Sequence, residues 1–342
     1  MDFSLTPDQE ALRSSIRDFL KAECTSEVVR RAADSDGFDR GLWTKVSALG
    51  WPGLIISETF GGIGSGWVEA CLLAEELGRF LFPGPLTMSF VATAILLDKG
   101  TEEQKRLLLP EVAEGRSILT FAFPASTSVD DGSSSAEWIV PFGEAADRVV
   151  LLDGSENAVV LTPAELQMFP LPVVDRTRPL AAVSVGQFSK GVDMGIGLNR
   201  AALLLAAESA GIVRKCLEMC VEYTKTRQQF GKPIGSYQAV SHKVADMFLA
   251  AEHAVSLFYF AAWLADTDPT KAPAAAWRAK LWSDRAACTS ALDAIQVHGG
   301  IGFTWEHDLH LYLKRAKSNE VLASTPRELR GKLADQVLVS VP

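Results

Sequence analysis

Phe3, Leu5, Leu12, Ile16 and the pair Phe19–Leu20 recur near helical spacing along "SLTPDQEALRSSIRDFLKAE", which predicts an N-terminal helix. Thr6-Pro7 supplies its cap and first turn. "WVEACLLAEELGRF" predicts a second amphipathic helix, entered through the glycine-rich "FGGIGSG" at 60–66. That loop lacks the strand–GxGxxG–helix order of a dinucleotide site and reads as a turn. "TEEQKRLLLPEVAEG" predicts a third helix, with Thr101 as cap and Gly115 as stop.

From about 119 to 195 the pattern changes to short β-rich runs: "SILTFAF", "EWIVPF", "DRVVLLDG", "NAVVLT" and "AAVSVGQF". They predict a small β domain of six strands or fewer, interrupted by a polar link of small residues, "STSVDDGSSSAE". Helical texture returns from 198, with four long apolar-periodic segments joined by short loops, the last beginning near "HDLHLYLKRAK". Such a set predicts an antiparallel bundle. The expected fold is mainly α with a small β domain: an N-terminal helical domain at 1–118, a reduced β domain at 119–195 and a C-terminal four-helix bundle at 196–342.

Composition narrows the function classes. The 342 residues are 48% hydrophobic, enough for a large core in two or three subdomains. A formal net charge of -9 argues against nucleic acid as a partner, because a duplex demands a basic face. The N-terminus opens with an acid and runs amphipathic, unlike a secretory leader. The apolar run "AALLLAAESAGIV" is broken by Glu208 and is short for a bilayer, so no membrane role and a cytoplasmic location are expected. The five cysteines, Cys24, Cys71, Cys216, Cys220 and Cys288, show no paired metal spacing and read as buried free thiols.

The stretch "TKTRQQFGKPIGSYQAVSHKVADM" is chemically unusual. Arg227, Gln228, Gln229 and Phe230 gather before a break made by Gly231, Pro233 and Gly235, and Gln238 follows it. A plain turn needs none of these donors, so the set suggests an acceptor-rich ligand. Downstream, "QVHGGIGFTWEHDLHLYLKRA" carries Gln296, Gly299 and Gly300. Trp305, Glu306, His307, Asp308 and His310 tempt a metal reading, but no partner cluster accompanies them; Glu306 and Asp308 are expected to cap the last helix. His298 fits either a cofactor contact or a satisfied interhelical histidine.

These two motifs, the helical–β–bundle order, "LGWPGLIISETFGGIGSG" and "AEELGR" together resemble the acyl-CoA dehydrogenase family over nearly the whole chain. The resemblance implies FAD as cofactor and an acyl-CoA as substrate. It implies that Arg227 meets the FAD pyrophosphate, Phe230 packs on the cofactor and Gln238 lies near the ADP portion. Gln296, Gly299 and Gly300 would lie along the adenosine side, of an FAD held mainly by a neighbouring subunit.

The chain departs from the family at two places. The flavin-binding stretch of the β domain has only Pro124 and Ser126 as remnants, and Trp138 is an uncertain match to the tryptophan that covers the flavin. The two positions from which relatives supply the catalytic base fall on Ala323 and near Ala201, and neither side chain accepts a proton. Glu208 and Glu320 are the nearby carboxylates, with Glu320 the candidate for a relocated base. The favoured expectation is a non-catalytic subunit giving FAD contacts to a full-length acyl-CoA dehydrogenase partner. Its alternatives are a self-sufficient homo-oligomer with a relocated base and a flavin-free scaffold.

Overall fold

Thr6 opens the first helix through a reciprocal capping box: its hydroxyl accepts from the Gln9 amide, and the Gln9 side chain accepts from the Thr6 N–H. Thr101 and Gln104 repeat the device at the sixth helix. The computed structural model describes residues 4–125, 138–152, 157–184 and 195–339. Six helices precede the strands: α1 (Pro7–Glu23), α2 (Ser26–Ala33), α3 (Arg40–Ala48), α4 (Trp67–Arg79), α5 (Leu86–Lys99) and α6 (Glu102–Ala113). α4 is not the amphipathic helix expected, since every residue from Ala70 to Arg79 is buried. The glycine-rich approach to it is a turn: Gly62 lies so close to the Ile56 carbonyl that no Cβ would fit.

Among the described residues seven short strands follow, where six or fewer were expected, because Phe123–Pro124 pairs separately from its neighbour and Gln167–Leu171 lies outside the β-rich runs. β1 (Leu119–Phe121) runs parallel to β4 (Arg148–Leu152), which pairs antiparallel with β5 (Ala158–Leu161). β2 (Phe123–Pro124), β3 (Trp138–Pro141), β7 (Leu180–Ser184) and β6 (Gln167–Leu171) form an antiparallel sheet in that order. Trp138 is buried within it, opposite Pro124. Ser126 lies outside the described residues.

The C-terminal part holds α7 (Gly195–Thr226), α8 (Gln238–Thr267), α9 (Ala272–His298), α10 (Leu309–Val321) and α11 (Pro326–Val339). The short hairpin of β8 (Gln228–Gln229) and β9 (Lys232–Pro233) separates α7 from α8. α11 is a fifth helix that the apolar pattern did not reveal, as it buries little beyond Leu329. Two compact units form. One comprises residues 1–26, 71–82 and 202–342, and the other residues 27–70 and 83–201. α7 and α8 are both long and apolar enough to span a bilayer by length and composition, which the broken run around Glu208 had argued against. The most apolar stretch of α7 is 78% buried inside the chain, whereas that of α8 is only 50% buried.

The first unit is organised by a backbone crossing. A Cβ on Gly78 of α4 would lie 2.0 Å from the Glu208 carbonyl oxygen of α7. Reciprocally, a Cβ on Gly211 would lie 1.9 Å from the Glu75 carbonyl oxygen. Beside this contact Glu208 pairs with Arg315 of α10 at 2.8 Å, with both groups buried. Ser209 donates to Asp284 of α9 at 2.7 Å and accepts from Asn319 of α10 at 3.0 Å. Lys280, fully buried, pairs with Asp284 and donates to the Asn319 carbonyl. Burial pushes the Asp284 carboxyl up, against the pull of Lys280. Glu208 therefore faces another helix as a structural ion, and breaking such a buried pair costs about 3–5 kcal/mol.

Gly211→Ala is expected to lower stability by about 1–3 kcal/mol or more, because neither helix backbone can retreat. Gly331→Ala on α11, where an added Cβ meets open space, is expected to raise it by about 0.5–1 kcal/mol. Denaturant midpoints of the two variants check both signs.

Candidate functional site

α7 ends at Thr226, and the chain reverses at once. Arg227 donates its backbone N–H to the Tyr223 carbonyl at 2.8 Å, and its own carbonyl accepts from Ile234 N–H at 2.9 Å. The strands pair Gln228 with Pro233 and Gln229 with Lys232, leaving Phe230-Gly231 as a two-residue loop. Both loop residues have positive φ, 50° and 81°, the signature of a type I′ turn. Gly adopts this at no cost, but Phe does not, and such strain amounts to about 1–3 kcal/mol. The Phe230 side chain is nonetheless 92% exposed. Tyr237 braces the hairpin from behind: its hydroxyl donates to the Gln229 carbonyl at 3.1 Å and its ring lies under the Lys232 ammonium at 4.3 Å.

The second motif sits at the other end of the same joint. Tyr223 stacks on His298 with ring centres 4.3 Å apart and planes 20° apart. Its hydroxyl also approaches the His298 carbonyl at 3.4 Å. This joint brings the end of α7 to the end of α9, so that Arg227, Phe230 and Gln238 share one end of the bundle with Gln296, Gly299 and Gly300. All six are exposed. Gly299 has φ of 64°, and a Cβ placed on Gly299, Gly300 or Gly231 would meet nothing within 4 Å. Arg227 forms no ion pair among the described residues. A forked cation, two amides and open glycine backbone fit a large anionic ligand presented from outside the chain, as the phosphates and adenosine of FAD would be.

His298 is the satisfied alternative of its two readings. It is buried, hydrogen-bonded through Nδ1 to the Ala294 carbonyl at 2.8 Å, and contacted edge-on by His307 at 4.8 Å. Burial lowers its pKa and keeps it neutral. Asp308 occupies the N-cap position of α10, but its carboxylate accepts from Ser26 at 2.7 Å instead of capping. The Leu309 N–H turns to His307 Nδ1. Among the described residues no group of three or more His, Cys, Asp or Glu is arranged for a metal. The five cysteines are buried and form no disulfide, and burial pushes Cys220 up to about 12 and Cys288 to about 11.

Three residues of this end were not singled out as contacts by sequence: Ile301, Phe303 and Trp305 are 51%, 85% and 71% exposed. The alternation of apolar and small or polar residues in "GGIGFTW" was their only signal. At the two base positions of the family, Ala201 is fully buried in α7, and Ala323 follows α10 with φ of 70°. Glu320 is held by Lys317 on its own helix at 2.9 Å.

Comparison with known proteins identifies the family. Residues 6–116 match the family model described as acyl-CoA dehydrogenase, N-terminal domain, and residues 191–338 match the C-terminal domain. Acyl-CoA dehydrogenase IpdE2 of Mycolicibacterium smegmatis is 34% identical over 97% of this chain and 100% of that protein. FadE34 of Mycobacterium tuberculosis is 36% identical over 92% of this chain and 45% of that protein. Among solved structures, a Tcur3481-Tcur3483 steroid ACAD variant superposes with a TM-score of 0.87 at 25% identity, covering 97% of this chain and 98% of the other. The ChsE4-ChsE5 complex from Mycobacterium tuberculosis shares the fold, with a TM-score of 0.86 at 23% identity over all of both chains. The chain belongs to the acyl-CoA dehydrogenase family, oxidoreductases acting on the CH–CH bond of acyl-CoA thioesters.

Phe230→Asn is expected to stabilise the isolated chain by about 1 kcal/mol, since Asn-Gly suits a type I′ turn. The same variant is expected to hold flavin less well in the assembled enzyme. Thermal unfolding read beside flavin retention separates the two effects.

Proposed function

We propose that this chain is the flavin-contacting, non-catalytic subunit of a heteromeric FAD-dependent acyl-CoA dehydrogenase. A full-length partner would hold most of the FAD and supply the base and the acyl-CoA pocket. The observation that carries this reading is the exposure of all six candidate cofactor contacts on one end of the bundle, in a chain with alanine at both base positions. Exposed donors serve a neighbouring chain's cofactor in a homo-oligomer or a heteromer alike, so the alanines at both base positions are what favour a partner different from this chain.

FAD, when bound, accepts the β-hydride of the thioester while a base removes the α-proton. This chain's part is to hold the cofactor. Arg227 would place its fork on the pyrophosphate, and among the described residues it forms no ion pair that would compete. Gln238 and Gln296 offer amides beside the ADP portion, and Gly299–Gly300 lets backbone N–H groups approach the adenosine side. Phe230 would pack against the cofactor from its strained turn. The reading is supported by relatives whose solved structures are described as a steroid ACAD and as a two-protein ACAD-fold complex, and it extends to a bulky CoA thioester as substrate. Glu320 is the residue on which a self-sufficient enzyme would depend, but its carboxylate is engaged by Lys317.

Arg227→Ala in the co-expressed complex is expected to weaken FAD binding about ten- to a hundredfold, the loss of one charge-assisted contact. Glu320→Gln is expected to leave turnover unchanged. Flavin titration and turnover of both variants test the assignment, and a dead Glu320→Gln variant with unaltered flavin content would contradict it.

A further inference from the structure

We infer that His298 is a positioning residue for the cofactor contacts and that its protonation releases them. The neutral ring, clamped between Tyr223 and His307, holds the Gly299–Gly300 turn beside the Arg227 hairpin, and the charged ring lets the two part. The inference rests on the proposed function only for the identity of the ligand. The link between α9 and α10 carries two of the six candidate contacts and is tied down on both sides. Upstream, His298 Nδ1 lies 2.8 Å from the Ala294 carbonyl. A carbonyl only accepts, so Nδ1 carries the proton and Nε2 the lone pair. The face of that ring stacks on Tyr223 of α7. Downstream, His307 Nδ1 accepts the Leu309 N–H at 3.3 Å, which fixes the opposite tautomer. The two imidazoles meet with centres 4.8 Å apart and planes 60° apart. Tyr223, His298 and His307 therefore stand in series, three rings from three segments. Two anchors keep His307 in place. Asp308 accepts from Ser26 at 2.7 Å, and the Trp305 carbonyl accepts from His310 Nε2 at 3.4 Å, with the Lys314 ammonium over the Trp305 ring. The histidines of this motif, which form no metal group among the described residues, thus hold the turn.

The series works only with neutral rings. A second proton on His298 has to sit on Nε2, in a ring 5% exposed and packed against two other rings. Burial holds its pKa below the ordinary value, and the neighbouring His307 lowers it further. A proton on His307 has to displace the Leu309 N–H from Nδ1. It also places a cation at the start of α10, where the helix dipole opposes it. Around the pair, α7 brings Tyr223, α8 brings Lys243, which Asp293 of α9 neutralises, and α10 brings His310 and Lys314. The connection brings Glu306 and Asp308, of which Asp308 is engaged by Ser26. Because the released ring binds a proton more readily than the clamped one, the clamp is at full strength above the ordinary value of 6.5 and weakens as pH falls below it. For one proton the weakening is at most about tenfold per pH unit. In acid the ring leaves the stack, Tyr223 loses its partner, and the hairpin and the glycine turn are no longer held together.

The joint and the flavin are read separately. In the isolated chain, hydrogen exchange reports the Gly299 amide, which donates to carbonyls of the last α9 turn, and the Thr304 amide, which donates to Ile301. Corrected for the intrinsic pH dependence of exchange, protection at both is expected to fall at least about fivefold from about pH 7.5 to about pH 5.5. The FAD affinity of the co-expressed complex is expected to fall by a similar factor over the same range. His298→Phe, which keeps a stacking ring and cannot titrate, is expected to reduce both changes to less than about twofold. His307→Asn keeps an acceptor for the Leu309 N–H and removes the second imidazole, so it is expected to move the midpoint of both changes to higher pH. The wild-type measurement and His307→Asn stand even where His298→Phe does not fold. Protection unchanged by acid in the wild-type chain, a pH dependence equally steep in His298→Phe, or a midpoint moved to lower pH in His307→Asn would overturn the inference. An acid-opened joint in a complex that holds no flavin at any pH would overturn the heteromeric reading alone.

Discussion

Two glycines, Gly78 and Gly211, let the backbones of α4 and α7 touch, and the first compact unit is built outward from that contact. A side chain at either position would drive the helices apart, and α7 would no longer present Glu208 and Ser209 to α9 and α10. With the helices in contact, the buried ion pair Glu208–Arg315 and the Lys280–Asp284–Ser209–Asn319 network close around α7. These groups are costly to bury and are tolerated only when every one is satisfied, so they fix the register of α9 and α10 against α7. The direction in which α7 leaves the bundle, and hence the position of Arg227, follows from that register.

At the far end of α7 the Tyr223–His298 stack converts helix register into a site. It couples the hairpin after α7 to the glycine turn after α9, joining donors that are some seventy residues apart in sequence. The joint packs a half-buried tyrosine on a buried histidine, while the groups it carries are exposed. Phe230 is held at positive φ with its ring in solvent, and Gly299–Gly300 faces open space. A chain folding for itself gains nothing from this arrangement. Under the function proposed above it forms one face of a shared cofactor site, with the proton chemistry on the other subunit.

Much of this was legible in the sequence, and the failures share a physical cause. The helical and β segments were readable because periodicity reports burial directly, and Thr6 and Thr101 announced their caps. The donor cluster around Arg227 was visible because polar side chains at a break have no structural need. What escaped was anything set by a distant partner. α4 was expected to be amphipathic, yet its carboxylates Glu75 and Glu76 are buried and paired with Arg214 and Arg17. Asp308 looked like a cap because Ser26, its actual partner, lies at the other end of the chain. The hairpin itself was hidden because Phe-Gly is an unfavourable type I′ pair, and the glycine crossing because neither helix signals it alone.

The division of labour between two subunits is tested most directly by the flavin absorbance of this chain, purified alone and then co-expressed with a full-length acyl-CoA dehydrogenase partner. The account predicts a colourless chain that becomes yellow and active only in the complex, with half as many flavins as chains. A flavin content near one per chain in the isolated protein, with turnover of an acyl-CoA, would contradict it.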